Sequence, residues 1–448
     1  MTTRRRAPAR LCRAGYAATV LLLGATHAAA VPSFAVQTGR PCEACHVGGL
    51  GPQLTPFGRE FKLRGYTARA VSFNVPLAAF VESSYVATAR GQSPPPAAHA
   101  GENRNVTVDQ ISLFVAGGVG EHFGAFVQNT YDGVARTFSW DNLDVRAVTT
   151  ASLGRSSAVI GVSLNNNPTV QDPYNTLPGW GFPYATSSLA PQPAAAPLIG
   201  NLGRTVLGIS AYAWIDSRLY AELGAYRSPG AGFLRRAGAD PTNPGEIAGT
   251  APYLRLAWQW TLADRNAELG AFALDARLYP AADRTTGLTD HYTDVGVDAS
   301  WQLFASNRDV ITVNGRFTHE SQRLNASTAL GLATRPRQSL DDVRVDASWY
   351  WRDKVGLTAQ LFDTLGSADD LLYVGSRRRR PDSSGILLQL DATPFGDGRS
   401  GLGPRFNVRV GVQYTAYLTF DGARTNFDEL GRSASDNDTL RVFTWIYY

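Results

Sequence analysis

The sequence predicts an all-β fold: an antiparallel transmembrane β-barrel of the outer-membrane type with about 16 strands, preceded by a short N-terminal plug of helical and irregular chain. Three observations predict it. From about residue 71 to the last residue, apolar and polar side chains alternate with period two, which is the pattern of β-strands. The connections between these segments are short and long in turn, as they are in such barrels. The chain ends on an aromatic segment, residues 442–448.

The first 30 residues have the pattern of a secretory signal peptide, which is removed on export. Arg4, Arg5 and Arg6 open a positively charged region. The apolar stretch that follows, residues 17–25, is too short to cross a bilayer, and three alanines at 28–30 offer a cleavage site. The chain therefore divides into a signal peptide (1–30), a plug (31–70) and a barrel (71–448).

Charge and cysteine content narrow the function of the exported chain. Five of the 42 Lys and Arg residues lie in the signal peptide, which leaves 37 against 38 Asp and Glu. A nearly neutral chain gives no reason to expect nucleic acid as a partner. Cys12 is lost with the signal peptide, so Cys42 and Cys45 are the two cysteines that remain.

These two cysteines belong to the segment Cys42-Glu43-Ala44-Cys45-His46, the C-x-x-C-H pattern by which a c-type haem is attached. The spacing suits two thiols that add to the two vinyl groups of one haem, and the histidine that follows then faces the iron as its proximal ligand. The pattern predicts one covalent haem c, held by Cys42 and Cys45 with His46 as the metal ligand. A redox dithiol and a structural disulfide are the alternatives for such a pair in an exported chain.

A short amphipathic helix is predicted after the motif. Thr55 is its expected N-cap, Pro56 its first residue and Gly65 its stop. Together with Phe34, which precedes the motif, the apolar face is expected either to cover the haem or to pack on the barrel wall. The residues of that face are Leu54, Phe57 and Phe61.

The other face of this helix carries Arg59 and Lys62, which either pair with the haem propionates or lie in solvent. Lys62 is also one candidate for the sixth ligand of the iron. Methionine is not, since Met1 is the only methionine in the chain. The other candidates are water, an open position, or one of four histidines, for each of which a structural or surface role is the simpler expectation: His99, His122, His291 and His319.

Period-two alternation marks the strands. In residues 294–303, Val295, Val297 and Trp301 share one face while the other face is polar, and residues 342–352 repeat the pattern. A sandwich core does not accept charged residues at so many inward positions, whereas a membrane barrel places apolar side chains against lipid and polar ones in a wet lumen. The predicted strands are residues 73–90, 105–117, 122–133, 138–151, 155–165, 204–215, 218–227, 251–262, 267–280, 291–303, 309–321, 339–352, 355–364, 385–395, 405–420 and 438–448.

Loop lengths and aromatic residues predict the orientation. The long loops of such barrels are external, so both ends of the barrel are expected in the periplasm. The long loops are residues 91–104, 166–203, 228–250, 322–338, 365–384 and 421–437. Aromatic residues near strand ends are expected to form girdles at the membrane interfaces. They are Tyr212, Trp214, Trp258, Trp260, Trp301, Trp349, Trp351 and Trp445.

Two loops carry further features. The 166–203 loop is long enough to fold into the lumen, and a surface lid is equally compatible with its length. Residues 377–380 are four consecutive arginines in an external loop. Solvation is the simplest role for this run; contact with lipopolysaccharide phosphates and repulsion of cations from the mouth are the alternatives.

The plug and the barrel are expected to fold together. A segment of about forty residues is too short to build its own core around a haem, and a barrel of this size leaves a channel that is often plugged. The haem segment is therefore expected in the lumen or at its periplasmic side, where the barrel wall supplies the missing cover. A redox centre inside an insulating membrane would move electrons between the cell surface and the periplasm.

The segment Phe34-Ala35-Val36-Gln37-Thr38-Gly39, the C-x-x-C-H motif and the pattern Pro52-x-Leu54-x-x-Phe57-Gly58-x-x-Phe61-x-x-x-Gly65-Tyr66 resemble the fused outer-membrane cytochrome–porins. That family includes outer-membrane iron-oxidising cytochromes. The resemblance covers the architecture of the exported chain, with specific motifs between residues 32 and 66. It implies a monohaem plug, with Cys42, Cys45 and His46 at the haem positions. It also implies transfer of electrons from extracellular Fe(II) to a periplasmic c-type cytochrome.

Three functions remain open at this stage. The first is an electron conduit surrounded by outer-membrane lipid, with Fe(II) oxidation as its leading case. The second is a transport porin whose haem segment acts as a plug or a redox gate. The third is a haem enzyme, such as a peroxidase, that uses an open sixth position. The third ranks last because the sequence offers no set of catalytic residues besides the haem motif, so no catalytic residue is predicted.

Overall fold

The computed structural model describes residues 31–72, 75–403 and 405–448. The signal-peptide prediction, residues 1–30, lies outside them. None of the helices in the described residues is long and apolar enough to cross a membrane. The helices are α1 (Val31–Thr38), α2 (Pro56–Leu63), α3 (Leu198–Asn201), α4 (Ala231–Arg236) and α5 (Asn325–Ala329). The strands are β1 (Leu77–Thr88), β2 (Asn105–Val119), β3 (Phe123–Asp132), β4 (Thr137–Leu153), β5 (Ser156–Asn165), β6 (Leu207–Ile215), β7 (Leu219–Arg227), β8 (Glu246–Ile247), β9 (Ala251–Thr261), β10 (Arg265–Tyr279), β11 (Asp290–Phe304), β12 (Val310–Arg323), β13 (Arg337–Trp351), β14 (Val355–Gly366), β15 (Ser383–Ala392), β16 (Asn407–Thr419) and β17 (Thr439–Tyr447).

Sixteen strands of the described chain form a closed antiparallel barrel. Each strand pairs with the next around the ring, and β17 pairs back with β1. The short β8 pairs with the end of β10 and is not a barrel strand, so β7 pairs directly with β9. Closure leaves the ring without a free edge, which a hydrocarbon environment requires because unpaired backbone polar groups are costly there. The predicted 16-stranded barrel is confirmed.

The barrel wall is apolar outside and polar inside. On β11, Val295 and Val297 are 45% and 52% exposed, whereas Asp294 and Asp298, on the opposite face, are 1% and 2% exposed. A water-soluble protein would reverse this arrangement. Apolar side chains that face outward along a closed barrel match a lipid surround, and the fold is that of an outer-membrane β-barrel.

Two connections depart from the predicted alternation of short and long. The link between β3 and β4, residues 133–136, is short although it lies at the long-loop end of the barrel. The link between β15 and β16, residues 393–406, is long although it lies at the short-turn end. It contacts the plug: the backbone N–H of Glu43 donates to the carbonyl oxygen of Gly396 at 3.1 Å. The link thus contacts the plug at the short-turn end.

The aromatic girdle is confirmed in part. Trp258, Trp260, Trp349 and Trp351 are exposed near the strand ends that meet the short turns. Tyr212, Trp214 and Trp445 were expected in the girdle as well, but they face the lumen and are buried. Period-two alternation separates two faces of a strand without saying which face is inside. These three aromatic residues take the inner face because the plug and the 166–206 loop give them apolar partners there.

The plug lies inside the short-turn half of the barrel. Thr55 caps α2 by accepting a hydrogen bond from the backbone N–H of Gly58, and Pro56 is the first residue of the helix, as predicted. Gly65 follows the helix with φ of 66°, a conformation that favours glycine. The barrel holds the segment by its backbone: Tyr212 Oη donates to the carbonyl oxygen of Leu63 at 2.6 Å.

The long loop between β5 and β6, residues 166–206, also folds into the lumen. Residues 168–177 are buried throughout. Ion pairs fix this stretch to the opposite wall, where Arg255 on β9 contacts Asp172 of the loop at 3.2 Å and Asp298 of β11 at 2.6 Å. Of the two expectations for the loop, insertion into the lumen is the one observed. Plug and loop together occupy the channel.

Candidate functional site

The C-x-x-C-H motif forms a tight turn in the plug. Residues Cys42–Ala44 make a single 3-10 turn, and the backbone N–H groups of Cys45 and His46 both donate to the carbonyl oxygen of Cys42, at 3.0 and 2.9 Å. His46 then returns to an extended conformation and forms an antiparallel bridge with Leu54. The turn therefore holds both thiols and the imidazole on one short piece of chain, supported by the start of α2.

All three predicted haem residues line one cavity inside the barrel. The cavity has a volume of about 340 Å³, which is within the range of pockets that hold organic ligands. Cys42, Cys45 and His46 lie on its plug side. The barrel and the 166–206 loop contribute a wall of mixed character. Its aromatic members include Phe80, Phe114, Phe126, Trp180, Tyr184 and Trp445, and its polar members include Gln110, Gln128, Asp141, Asn142 and Asn175.

The two cysteines are both free thiols. Burial raises the pKa of Cys42 and raises that of Cys45 to about 12, so the chain holds both as neutral thiols and not as reactive thiolates. A structural disulfide, one of the alternatives for this pair, is not formed in this structure. Two neutral thiols beside a cavity, that of Cys42 buried and that of Cys45 half-buried, suit thioether attachment of a ligand.

The His46 imidazole is held in its neutral form. Burial lowers its pKa to about 4, and a neutral imidazole is the form that binds a metal. In the described part of the chain, the buried Nδ1 atom of His46 has no hydrogen-bond partner. The backbone of Gly51 and Gln53 lies beside this ring and raises its pKa, against the larger effect of burial. A histidine that binds a metal through one ring nitrogen usually donates its other N–H to backbone or a carboxylate, so these neighbours are compatible with His46 as a metal ligand.

The apolar face predicted for α2 reaches the cavity in part. Leu54 and Phe61 line it, and Phe34 packs edge-on against Phe61 with ring centroids 5.0 Å apart. Phe57 is not among the described lining residues; the guanidinium of Arg40 lies over its ring at 4.5 Å from the centroid. Phe34 and Phe61 also pack on the barrel wall, in a cluster with Ala116 and Phe126. Packing on the wall is therefore observed for part of the face, and covering a haem stays a prediction.

The two basic residues of α2 differ in position. Lys62 lines the cavity, and its Nζ donates to the carbonyl oxygens of Val170 and Asp172 at 2.7 and 2.9 Å. Burial lowers the pKa of Lys62 to about 7, and repulsion from Arg146 adds to the effect. Arg59 is not among the described lining residues, and its Nη1 donates to Gln302 Oε1 at 2.8 Å. The solvated role expected as the alternative fits neither side chain, because both are buried.

The four histidines considered as sixth ligands lie elsewhere. His122 bonds the carbonyl oxygen of Val148, His291 contacts Asp275, and His319 contacts Asp341. His99 lies exposed in the loop between β1 and β2. Within the described chain, none of the four lines the cavity, whereas Lys62 does.

The barrel residues that line the cavity were not predicted from the sequence. Phe80 on β1 and Trp445 on β17 meet edge-on with centroids 5.9 Å apart, at the pair of strands that closes the ring. One signal was present in the sequence: large aromatic residues at inward positions break the alternation of polar residues on the lumen face. Such positions need an apolar partner inside the lumen.

Comparisons with solved structures find outer-membrane barrels, with TM-scores below 0.5 for those described here. No protein-family model matches the chain, and no curated protein matches it. The outer-membrane channel DcaP of Acinetobacter baumannii is 10% identical, covering 86% of this chain and 99% of that chain with a TM-score of 0.47. OmpF of Salmonella typhi, in complex with daunomycin, is 10% identical over 83% and 97%, with a TM-score of 0.46. OmpT of Vibrio cholerae is 10% identical over 83% and 96%, with a TM-score of 0.44. No function is taken from these neighbours.

Proposed function

We propose that this protein is an outer-membrane monohaem cytochrome–porin that carries electrons from an extracellular donor, with Fe(II) as the leading case, to a periplasmic c-type cytochrome. The observation that carries the proposal is the meeting of Cys42, Cys45 and His46 at one aromatic cavity in the lumen. The two thiols would hold the haem through thioether bonds, and His46 would bind its iron. The bound haem would supply a one-electron couple.

The aromatic side chains around the cavity support this role by supplying apolar cover. Aromatic side chains from β1, β2, β3 and β17 face the cavity, and the 166–206 loop closes over it with Trp180 and Tyr184. The hydrophobic shell around a haem or metal sets solvent access and thereby the redox potential. The barrel thus provides the cover that a forty-residue segment lacks.

The position of the site along the barrel also supports an electron conduit. The plug lies toward the short-turn end, where Glu43 pairs with the exposed Arg308 at 2.6 Å. The 166–206 loop separates the cavity from the long-loop end. If the long loops are external, as in bacterial outer-membrane barrels, this position would put the site on the periplasmic side of the membrane centre, toward a periplasmic acceptor.

Anaerobic titration of the purified protein with Fe(II), followed by haem absorbance, tests the proposal. We expect a c-type spectrum that changes to the reduced form as Fe(II) is added. The variant His46→Ala should keep the inserted barrel but lose this normal reduction. A protein without covalent haem would overturn the proposal, and a haem that stays oxidised would overturn its Fe(II) version.

A transport porin is the second candidate. Sixteen strands are enough to leave an aqueous channel, and the observed barrel has that number. The conduit needs no conductance, whereas the transport porin does. Planar-bilayer recordings of the purified full chain distinguish the two: sustained solute conductance would favour the porin, and a closed lumen would favour the conduit.

A further inference from the structure

A second cavity lies in the long-loop half of the barrel; we name it the outer vestibule. It has a volume of about 380 Å³ and lies between residues 183–196 and the inner faces of β13 to β17. Gln192, Ala194 and Ala196 line it and are exposed, so it opens to solvent. No sequence motif pointed to this space.

The cavity lined by Cys42, Cys45 and His46 is called the inner cavity below. A single short stretch of loop separates it from the outer vestibule. Pro183 and Thr186 line the vestibule, whereas Tyr184 and Ala185, between them in sequence, line the inner cavity. The stretch is held in place by Gln360, whose Nε2 donates to the carbonyl oxygen of Phe182 at 2.6 Å. A molecule in the vestibule would therefore lie one layer of chain away from the cavity.

The lining of the vestibule is cationic. It includes Arg344 and Arg441, and among its described lining residues there is no Asp or Glu. Arg344 contacts Asp342 through Nε and Nη2, at 3.2 and 3.1 Å. Its Nη1 makes no hydrogen bond within the described residues. Arg441 is bonded to Glu82, yet its buried Nε has no partner in the described chain. The other nitrogens of Arg441 donate to Ala185, Gln413 and Glu82. Arg344 therefore keeps a free amino group for a ligand, whereas Arg441 contributes a positive charge to the lining.

The arginine run found in the sequence lies above the same wall. Residues 377–380 belong to the loop that joins β14 to β15, and this loop packs on the one that joins β16 to β17 through the backbone N–H of Arg377 and the carbonyl oxygen of Phe427, 2.6 Å apart. Arg377 and Arg378 are exposed, and neither forms an ion pair within the described residues. Exposed like charges at the mouth of a cavity raise the local concentration of the opposite ion.

The lining of the vestibule is unsuited to binding a hydrated divalent cation. Hard cations prefer carboxylate and carbonyl oxygens, and the vestibule offers arginines in place of carboxylates. Across residues 31–72, 75–403 and 405–448, no group of three or more His, Cys, Asp or Glu side chains could hold a metal ion. The lining instead matches a ligand with negative charge and hydrogen-bond acceptors.

We propose that the outer vestibule binds a small anionic electron donor, such as ferrous iron held in a polycarboxylate chelate. This inference rests on the proposed function and specifies its donor. The donor would lose one electron and be oxidised, while the haem iron would gain it and pass from Fe(III) to Fe(II); no bond forms or breaks and no proton moves. Arg344 binds the donor, the charge of Arg441 supports this binding, and Arg377 and Arg378 attract the donor from solution.

Two redox-inert probes of similar shape test binding apart from electron transfer. Isothermal titration calorimetry of the purified full chain in detergent would compare hexacyanocobaltate(III), an anion, with hexaamminecobalt(III), a cation. We expect the anion to bind at least about tenfold more tightly. Arg344→Gln should weaken anion binding by about tenfold, the loss expected for one charge-assisted hydrogen bond. The matched control is Arg337→Gln, which removes an exposed arginine from the same strand outside the vestibule and should leave binding unchanged.

A second variant, which adds a negative charge to the vestibule, tests the proposal if Arg344→Gln does not fold. Thr415 lines the vestibule and is half-buried, so Thr415→Glu places a carboxylate there. It should weaken anion binding and strengthen cation binding. Equal binding of the two probes, or equal loss in the Arg344 and Arg337 variants, would overturn the proposal.

The donor role has its own readout. Stopped-flow reduction of the haem by ferrous citrate should be several-fold slower in Arg344→Gln than in the Arg337→Gln control. Anion binding without any such reduction would overturn the donor assignment. A protein that lacks haem but still binds the anion at Arg344 would contradict the proposed function and leave the vestibule as an anion site.

Discussion

Asp353 holds the plug through a hydrogen bond whose contribution can be tested by changing the pH. It lies in the turn between β13 and β14, and its Oδ1 accepts a hydrogen bond from the backbone N–H of Gly48 at 2.6 Å. Burial raises the pKa of this carboxyl from 3.8 to about 7. The native state therefore binds more protons than the unfolded state between these two values, and its stability falls as pH rises through this window.

Asp353→Asn should remove this pH dependence. The amide keeps an acceptor oxygen for Gly48 and carries no charge at any pH. We expect protease cleavage of the plug in the wild-type protein to increase between pH 5 and pH 8, and to stay nearly constant in the variant. Parallel pH profiles for the two proteins would show that Asp353 does not control how the plug is held.

The residues of the site divide into those that were predictable and those that were not. Cys42, Cys45 and His46 stand in one pentapeptide, so local spacing was enough to predict that they act together. Phe80, Phe126 and the other barrel residues of the cavity come from strands far apart in sequence. Only the closed ring and the inserted loop bring them together, and no local pattern contains that information.

At the scale of elements, two buried arginines fasten the plug to the barrel. Arg409 on β16 contacts Asp391 at 2.9 Å and donates to the carbonyl oxygen of Leu50 at 2.8 Å. Arg146 on β4 contacts Asp144 at 2.9 Å and donates to the carbonyl oxygen of Lys62 at 3.1 Å. Each guanidinium neutralises a lumen carboxylate and at the same time satisfies plug backbone.

Arg409→Met should loosen the plug and destabilise the barrel. The change leaves Asp391 as a buried charge without its partner, a loss of about 3–5 kcal/mol. Thermal unfolding should shift to lower temperature and the plug should become sensitive to protease. Adding Asp391→Asn should recover part of the loss, while Arg218→Met, at an exposed turn, should have no effect. An unchanged unfolding temperature for Arg409→Met would exclude this anchoring role.

The strands were predictable because a membrane barrel repeats one simple rule, and each of the sixteen overlaps its predicted range. The sequence did not predict which face of a strand is the inner one, as Tyr212, Trp214 and Trp445 show. Aromatic residues suit both a lipid interface and a lumen that contains apolar chain. Which of these surrounds a given strand depends on the path of the plug and of residues 166–206.

At the scale of the whole molecule, the plug and the inserted loop close a barrel that is wide enough to conduct. Deleting residues 31–70 should raise the conductance in planar bilayers well above that of the full chain. The double variant Cys42→Ala/Cys45→Ala keeps the plug without attached haem and should stay closed. If the deletion and the full chain conduct equally, the plug does not block the channel.

In the proposed function, electrons cross the barrel and solutes do not. The cavity lined by Cys42, Cys45 and His46 lies at the short-turn side, and the outer vestibule lies at the long-loop side. Between them stand one layer of loop and the aromatic wall. In this arrangement, a single haem would carry electrons between the two faces of the membrane.

Electron transfer across a sealed membrane can be measured with the protein in liposomes. The purified protein would be placed in liposomes that contain oxidised cytochrome c, with ferrous citrate added outside. We predict that the enclosed cytochrome becomes reduced, and that liposomes with His46→Ala keep it oxidised. An enclosed cytochrome that remains oxidised while the haem of the barrel is reduced would contradict the account.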